Sequence, residues 1–309
     1  MMSGAYTHLD RLVALAGAAR RLDLPVRTRT GAPRAGGHLT RAPGAGMDFM
    51  EYRNYQAGDD IRTIDWRASA RTGTTQTRLY QQEKERPALF ILDQGPSLFF
   101  GSRHNFKSVT AAEVMAILAW QALLRGDRVG ALLLGQVDGS THTMNVRPHG
   151  SRQHLLQLLQ QAVTLNNSLR AGLPGDGQAL PQLLGRAVHL ARPGTRVTVI
   201  SDFYQLNPTG LSSLARVARR CPVTAVQPFD PLEHQLPPAA VYAVSNGHRR
   251  GLLDTRSHQL AQRYSRAACQ RQDLLAQQLA SHCIRLHRID CSLETESQLA
   301  DCIRRAGKI

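Results

Sequence analysis

Residues 87–97, PALFILDQGPS, decide the fold. Ala88 to Leu92 is a short, unbroken apolar run, which predicts a strand buried on both faces. It ends on a carboxylate, Asp93, and Gly95-Pro96 stop it. A helix begins by Lys107. In an open α/β sheet, side chains at the carboxyl ends of strands look into the crevice where ligands bind. An Asp followed by hydroxyls two and four residues on puts hard oxygen ligands on one loop, which suits Mg²⁺. Asp93 and Ser97 stand at the first and last of those positions, and Gly95 at the middle one. The expectation is an α/β fold carrying a degenerate cation loop.

Downstream, strand-like and helix-like stretches alternate. Lys107 to Arg125 reads as a helix apolar nearly all round, hence sandwiched rather than surface-lying. Val129 to Leu134 reads as a strand and Thr141 to Val146 as an edge strand. Arg152 to Leu165 reads as an amphipathic helix with Leu155, Leu156, Leu159 and Val163 inward, and Leu180 to Ala191 as another helix. Arg196 to Ile200 is a strand ending in Ser201-Asp202, a second carboxylate at a strand end. Leu211 to Arg220 (helix), Pro222 to Val226 (strand) and the loop Gln227 to Pro238 follow, then a strand at Val241 to Val244. Ser257 to His282 is a long helix with Leu260, Tyr264, Ala268, Leu275 and Leu279 on one stripe. Ile284 to Ile289 (strand) and Glu296 to Ala306 (helix) close the pattern. Such alternation predicts right-handed βαβ units and a mostly parallel sheet with helices on both faces.

The 309 residues are 42% hydrophobic and 20% charged, an ordinary globular balance with enough chain for a real core. The longest apolar runs, such as Val114 to Trp120, are too short for a membrane span. Leu12 to Ala19 lacks the basic front and small-residue exit of a signal peptide. It reads instead as an amphipathic helix with Leu9, Leu12, Val13 and Ala16 on one face. No export signal implies the cytoplasm. Five cysteines in the last third, an odd number with no CxxC pair, argue against a disulfide scaffold. Cys283, His287 and Cys291 share one face of a strand and are a weak zinc candidate, since their spacing fits no standard pattern.

The net charge of +15 favours acidic partners. The basic residues are scattered arginines, densest at Arg192/Arg196, Arg216/Arg219/Arg220 and His248-Arg249-Arg250. With aromatic content at 5%, stacking platforms for single strands are scarce, so nucleic acid is an alternative partner rather than the leading one.

Upstream of the strand, residues 28–37 are a Gly/Pro/Arg-rich loop, and Thr75, Thr77 and Leu79 alternate with polar residues as a strand would. Between them runs a dense alternation of opposite charges around a tryptophan: Glu51-x-Arg53-x-Tyr55-x-x-Gly58-Asp59-Asp60-x-Arg62-x-Ile64-Asp65-Trp66-x-x-x-Ala70-Arg71, then Glu83. This pattern, followed by the strand ending on Asp93, resembles the signature of the DUF58 family. Gly126-Asp127-Arg128-Val129-Gly130, Ser201-Asp202-Phe203 and Asp230-Pro231-Leu232-Glu233 agree with it. The resemblance covers residues from about Gly37 to the C-terminus.

The resemblance implies a Rossmann-like von Willebrand factor A domain over residues 87–309, with an N-terminal accessory segment over 1–86. It implies a cation site built from Asp93, Ser97 and Asp202, with Mg²⁺ as the only cofactor indicated. The loop expected to supply a threonine, Gly177 to Leu180, has none, leaving Asp176 in reserve. It also implies a non-enzymatic, chaperone-like protein-binding adaptor. Its expected partners are a MoxR-type AAA+ ATPase, beside which such proteins are often encoded, and other von Willebrand A-type proteins. Two rival readings stand beside it. Asp59, Asp60 and Asp65 could hold metals for a hydrolase, but the interleaved Arg53, Arg62, Arg67 and Arg71 predict a charge network instead. The basic surface could bind nucleic acid, in a salt-dependent manner. No phosphate-binding glycine loop or catalytic triad is present.

Overall fold

The computed structural model describes residues 4–22, 47–56, 59, 61–82, 86–245 and 250–306. The stretch 28–37, Gly58, Asp60, Glu83 and His248-Arg249 lie outside the described residues. The chain divides into two compact units, residues 1–26 with 86–309, and residues 27–85. Helices α1 (Leu9–Ala14) and α2 (Ala16–Arg21) come first. Next are β1 (Met47–Asn54), α3 (Trp66–Thr72) and β2 (Gln76–Gln82). The remaining elements are β3 (Pro87–Asp93), α4 (Lys107–Leu124), β4 (Arg128–Val137), β5 (Ser140–His149), α5 (Arg152–Ser168), α6 (Ala179–Leu190), β6 (Arg196–Ile200), α7 (Pro208–Ala218), β7 (Val223–Phe229), β8 (Val241–Ser245), β9 (Arg250–Asp254), α8 (His258–Ala280), β10 (Arg285–Asp290) and α9 (Thr295–Ala306).

The larger unit holds a six-stranded sheet in the order β10-β7-β6-β3-β4-β5. All neighbours are parallel except β5, which runs antiparallel to β4 at the edge. This is the doubly wound strand order. Side-chain alternation sorts the core into two layers. Ala88, Phe90 and Leu92 of β3 face α4, α5 and α9 with Val129, Ala131 and Leu133 of β4. Leu89 and Ile91 face α6, α7 and the C-terminal half of α8 with Val197, Val199 and Ala225. Both faces of β3 are covered, which is why its sequence does not alternate.

The α4 helix is the only one among the described residues with the length and hydropathy of a membrane span, and 83% of it is buried inside the protein. The sheet on one side and α1, α2, α5 and α9 on the others account for its apolar circumference.

The accessory segment expected over residues 1–86 does not behave as one piece. Helices α1 and α2 belong to the larger unit. Leu12, Ala18 and Ala19 are buried in the same core as Val114 and Met115. Trp120 Nε1 donates to the Leu12 carbonyl at 3.0 Å, and Gln121 Nε2 to the Leu22 carbonyl at 3.0 Å. Six-residue helices do not hold in water alone; these hold because their apolar face completes the core beside α4. Leu12→Ala is therefore expected to cost about 2–5 kcal/mol of stability in urea denaturation. A loss under about 0.5 kcal/mol, typical of a surface position, would show that this segment is not core.

The smaller unit pairs β1 with β2, antiparallel, with a register shift between Phe49 and Glu51. Sequence reading found only the second of these strands. A second omission is β9, which pairs with β8 in a separate two-stranded ribbon. The α8 stripe is only partly inward. Ala268, Leu275 and Leu279 are buried, but Leu260 and Tyr264 are exposed. The helix's first turns pass over the loop after β7, where Tyr264 donates to the Leu232 carbonyl and Ser265 to that of His234.

Candidate functional site

The strand order reverses at β3, whose outgoing connection leads to β4 on one side while β6 lies on the other. Ligand crevices open at such switch points, outside the carboxyl ends of the strands. Here those ends carry Asp93 and Ser201-Asp202 side by side. The register pairs Leu92 with Ile200, and Ser201 Oγ donates to Asp93 Oδ2 at 2.7 Å.

Asp93 is turned back onto its own loop. Its Oδ1 accepts from the Gly95 N–H at 2.7 Å. A Cβ on residue 95 would lie 2.9 Å from that same oxygen. Glycine at the position where a cation loop wants a hydroxyl is thus what lets the carboxylate fold back. Burial, and then the charge of Asp202, push the Asp93 pKa up to about 7.

Asp202 sits just before Phe203, a non-glycine residue in the left-handed region (φ 59°) whose N–H donates to Ser201 Oγ. This turn aims the Asp202 carboxylate across the crevice. Oδ1 accepts from the Tyr204 N–H at 3.1 Å, and Oδ2 takes the ammonium of Lys107 at 2.9 Å. Lys107 also donates to Glu233 Oε1 at 2.6 Å, and its side chain is 1% exposed. Burial opposes its charge, but Asp202 and Glu233 outweigh that and hold the ammonium above its usual range. Glu233 is itself fixed. In the capping box Asp230-Pro231-Leu232-Glu233, its other oxygen accepts from the Asp230 N–H at 3.1 Å. Asp230, fully buried, accepts from Ser102 N–H and Oγ and from the Leu232 N–H. Tyr204 covers the triad with its ring 5.1 Å from Lys107 Nζ, and Arg271 lies 5.1 Å from the same ring. A cavity of about 260 Å³ opens beside them, between the ends of β6 and β7 and helix α8.

The residues expected to hold Mg²⁺ do not fit it. Asp202 is already paired with the ammonium of Lys107, Asp93 faces Ser201 and Gly95, and half-buried Ser97 lies in the short 3₁₀ turn Pro96–Leu98. Asp176, the reserve ligand, accepts from Thr141 Oγ1 and the Gln178 N–H. Among the described residues no group of three His, Cys, Asp or Glu side chains is set to hold a metal. The zinc candidates are not gathered either. Cys283 and Cys291 lie beyond opposite ends of the six-residue strand β10, which by itself spans about 17 Å or more. Cys291 is buried, and its thiol donates to Asp230 Oδ2 at 3.3 Å.

Sequence reasoning missed Lys107 and Glu233 as members of the site. The signal for Lys107 was there: a lysine opens an 18-residue apolar helix, at the end where the helix dipole disfavours cations. Such a residue calls for acidic partners.

In the smaller unit, the charged motif is a scaffold in its described part. Arg53 Nη2 donates to Asp59 Oδ2 at 2.7 Å, and the Gln56 N–H to the same oxygen at 3.0 Å. Asp65, buried, caps α3 by accepting from the Arg67 and Ala68 N–H groups, and takes the Tyr52 hydroxyl at 3.1 Å. These two acids, read as hydrolase ligands in the rival reading, are committed to structure. Trp66, around which the charged residues alternate in sequence, is 67% exposed.

The fold and the crevice define the class: a mixed α/β protein with a central, mostly parallel sheet flanked by helices. The chain belongs to the family described as "Protein of unknown function DUF58", whose model matches residues 51–273. Uncharacterized protein Rv1480 of Mycobacterium tuberculosis (strain ATCC 25618 / H37Rv) is 33% identical over 224 residues, 72% of this chain and 68% of that protein. Uncharacterized protein Mb1516 of Mycobacterium bovis matches to the same extent. Among solved structures, the conserved hypothetical protein BatB of Bacteroides thetaiotaomicron aligns at a TM-score of 0.41 and 15% identity, over 72% of this chain and all of that one. An aerotolerance-related membrane protein of Bacteroides fragilis aligns at 0.39 and 14%, over 72% and 98%. At those scores neither comparison bears on function.

Proposed function

We propose that this protein is a non-enzymatic protein-binding adaptor, acting with a MoxR-type AAA+ ATPase in the assembly or maturation of protein complexes. The carrying observation is the exposure of large apolar side chains within the family's own motif. Trp66 is 67% exposed, Ile61 65% and Tyr52 44%, all in the smaller unit. Exposed aromatic anchors of this kind are where interface energy concentrates. The charge of +15 suits an acidic partner face, whose attraction would speed encounter. The finer assignment of the larger unit as von Willebrand A-like belongs to the same reading. Its support is the doubly wound order with a single antiparallel edge strand and two acids at the switch point.

The test is affinity capture with the purified protein, bound proteins being identified by mass spectrometry, in Mg²⁺ and in EDTA. The expected result is recovery of a MoxR-type ATPase in both buffers. Trp66→Ala is expected to weaken the interaction about 30-fold, the effect of losing a hot-spot side chain of about 2 kcal/mol. Recovery of nucleic acid alone would overturn the proposal.

A further inference from the structure

We infer that the ε-ammonium of Lys107 is the permanent cation of the switch-point crevice, standing in for the divalent ion that the loop sequence suggests. Its presence makes the crevice metal-independent. Three observations carry this. First, the ammonium is 1% exposed and lies 2.9 Å from Asp202 and 2.6 Å from Glu233, so a side chain of this protein already supplies charge neutralisation there. Second, the remaining oxygens are turned inward. Asp93 accepts from Gly95 and Ser201, and the space that a hydroxyl side chain at 95 would need is filled by the Asp93 carboxylate itself. Third, Lys107 stands in the first turn of α4, where the dipole makes a cation costly. A lysine serving only to fill space would be better replaced there by an apolar side chain.

The consequence is a specificity statement. A fixed ammonium beneath Tyr204 offers no exchangeable coordination position, so a partner's carboxylate cannot complete an ion's shell in this crevice. Any partner contact here must use the rim, where Tyr204 and Phe100 are exposed. A second prediction concerns what Lys107 excludes. With the ammonium removed, buried Asp202 and half-buried Glu233 are left facing the space it held, without a counter-charge. Two carboxylates around that one position are hard oxygen ligands of the kind a divalent cation takes, with water completing its shell. The inference stands whether or not the adaptor reading holds.

The experiment titrates Mn²⁺ alone into metal-free wild type, Lys107→Ala and Lys107→Met, read by electron paramagnetic resonance and by thermal unfolding with and without Mn²⁺. Wild type is expected to bind no stoichiometric Mn²⁺ and to unfold at the same temperature in either buffer. Lys107→Ala is expected to bind one Mn²⁺ and to unfold at a higher temperature with it. Its affinity should exceed wild type's by at least about 1,000-fold, the value for two unit charges about 4 Å apart at an intermediate dielectric, which the double charge of Mn²⁺ increases. Asp202→Asn added to Lys107→Ala should abolish the binding. Lys107→Met, which keeps most of the stem's volume, is read in the same way if the alanine variant does not fold. One tight Mn²⁺ on wild type that is lost in Asp202→Asn would overturn the inference. So would a folded Lys107 variant that binds none.

Discussion

Lys107→Ala, unfolded by urea in EDTA, is expected to lose about 3–5 kcal/mol of stability, the cost of leaving a buried charge without its partner. Here two carboxylates are left, one of them 2% exposed and the other 15%. The lost burial of the lysine stem adds to this. Neutralising the whole triad should behave differently. In Lys107→Met with Asp202→Asn and Glu233→Gln, no group remains charged and most of the volume is kept. A buried ion cluster replaced by neutral groups is often neutral or stabilising. The triple variant is therefore expected to recover most of the stability lost by the single one. A single variant within about 0.5 kcal/mol of wild type, the range of an ordinary surface change, would mean that the triad is open to water and that Lys107 is not the crevice's cation.

Asp93→Asn should give the second large effect, and it depends on pH. The carboxyl is held at about 7, against an ordinary value of 3.8, first by burial and then by Asp202. A folded-state pKa above the unfolded one means that the native protein holds the proton more tightly. The stabilisation from that proton is complete below pH 3.8 and is lost as pH rises through about 7. Asparagine carries no such dependence. The variant should match wild type near pH 4 and become steadily more stable relative to it up to pH 7. At pH 8 it should lead by up to about 4 kcal/mol, the free energy equivalent to moving the carboxyl from 3.8 to about 7. Urea denaturation of both proteins across that range checks it. A difference that stays flat with pH would show Asp93 titrating as an ordinary exposed carboxylate.

The contrast between the two acids shows what the crevice does. Asp202 is paired with the Lys107 ammonium, while Asp93 accepts only from a hydroxyl and one N–H. One switch point therefore holds one acid in an ion pair and one whose pKa is pushed up to about 7. The ammonium makes direct contact with Asp202 and Glu233, and its charge acts on Asp93 only as the weakest of the influences on that group.

Much of the architecture was legible in the chain because its cause is local. The unbroken apolar run of β3, the run of β6 and the two-sided apolar circumference of α4 each require burial on both faces. That requirement sets a parallel sheet between helices. The same residues put Asp93 and Asp202 at strand ends. The two short N-terminal helices were legible as helices, but not their place, because where an apolar face docks depends on which surface is left uncovered beside α4. β9 and β1 were missed because neither RGLLD nor MDFMEYRN keeps a clean two-residue alternation, and each gains strand character from pairing with its neighbour.

The content of the site lay beyond the sequence. The backward turn of Asp93 depends on a gap at Gly95. The left-handed Phe203 aims Asp202, and Lys107 meets Glu233 across 126 residues. Sequence alone determined that acids gather at the switch point, since strand ends and loop chemistry are local facts. Only the tertiary structure decided that their counter-ion is a lysine. An ion pair across the fold is set by distance and by exclusion of water, and neither is written in the spacing of residues along the chain.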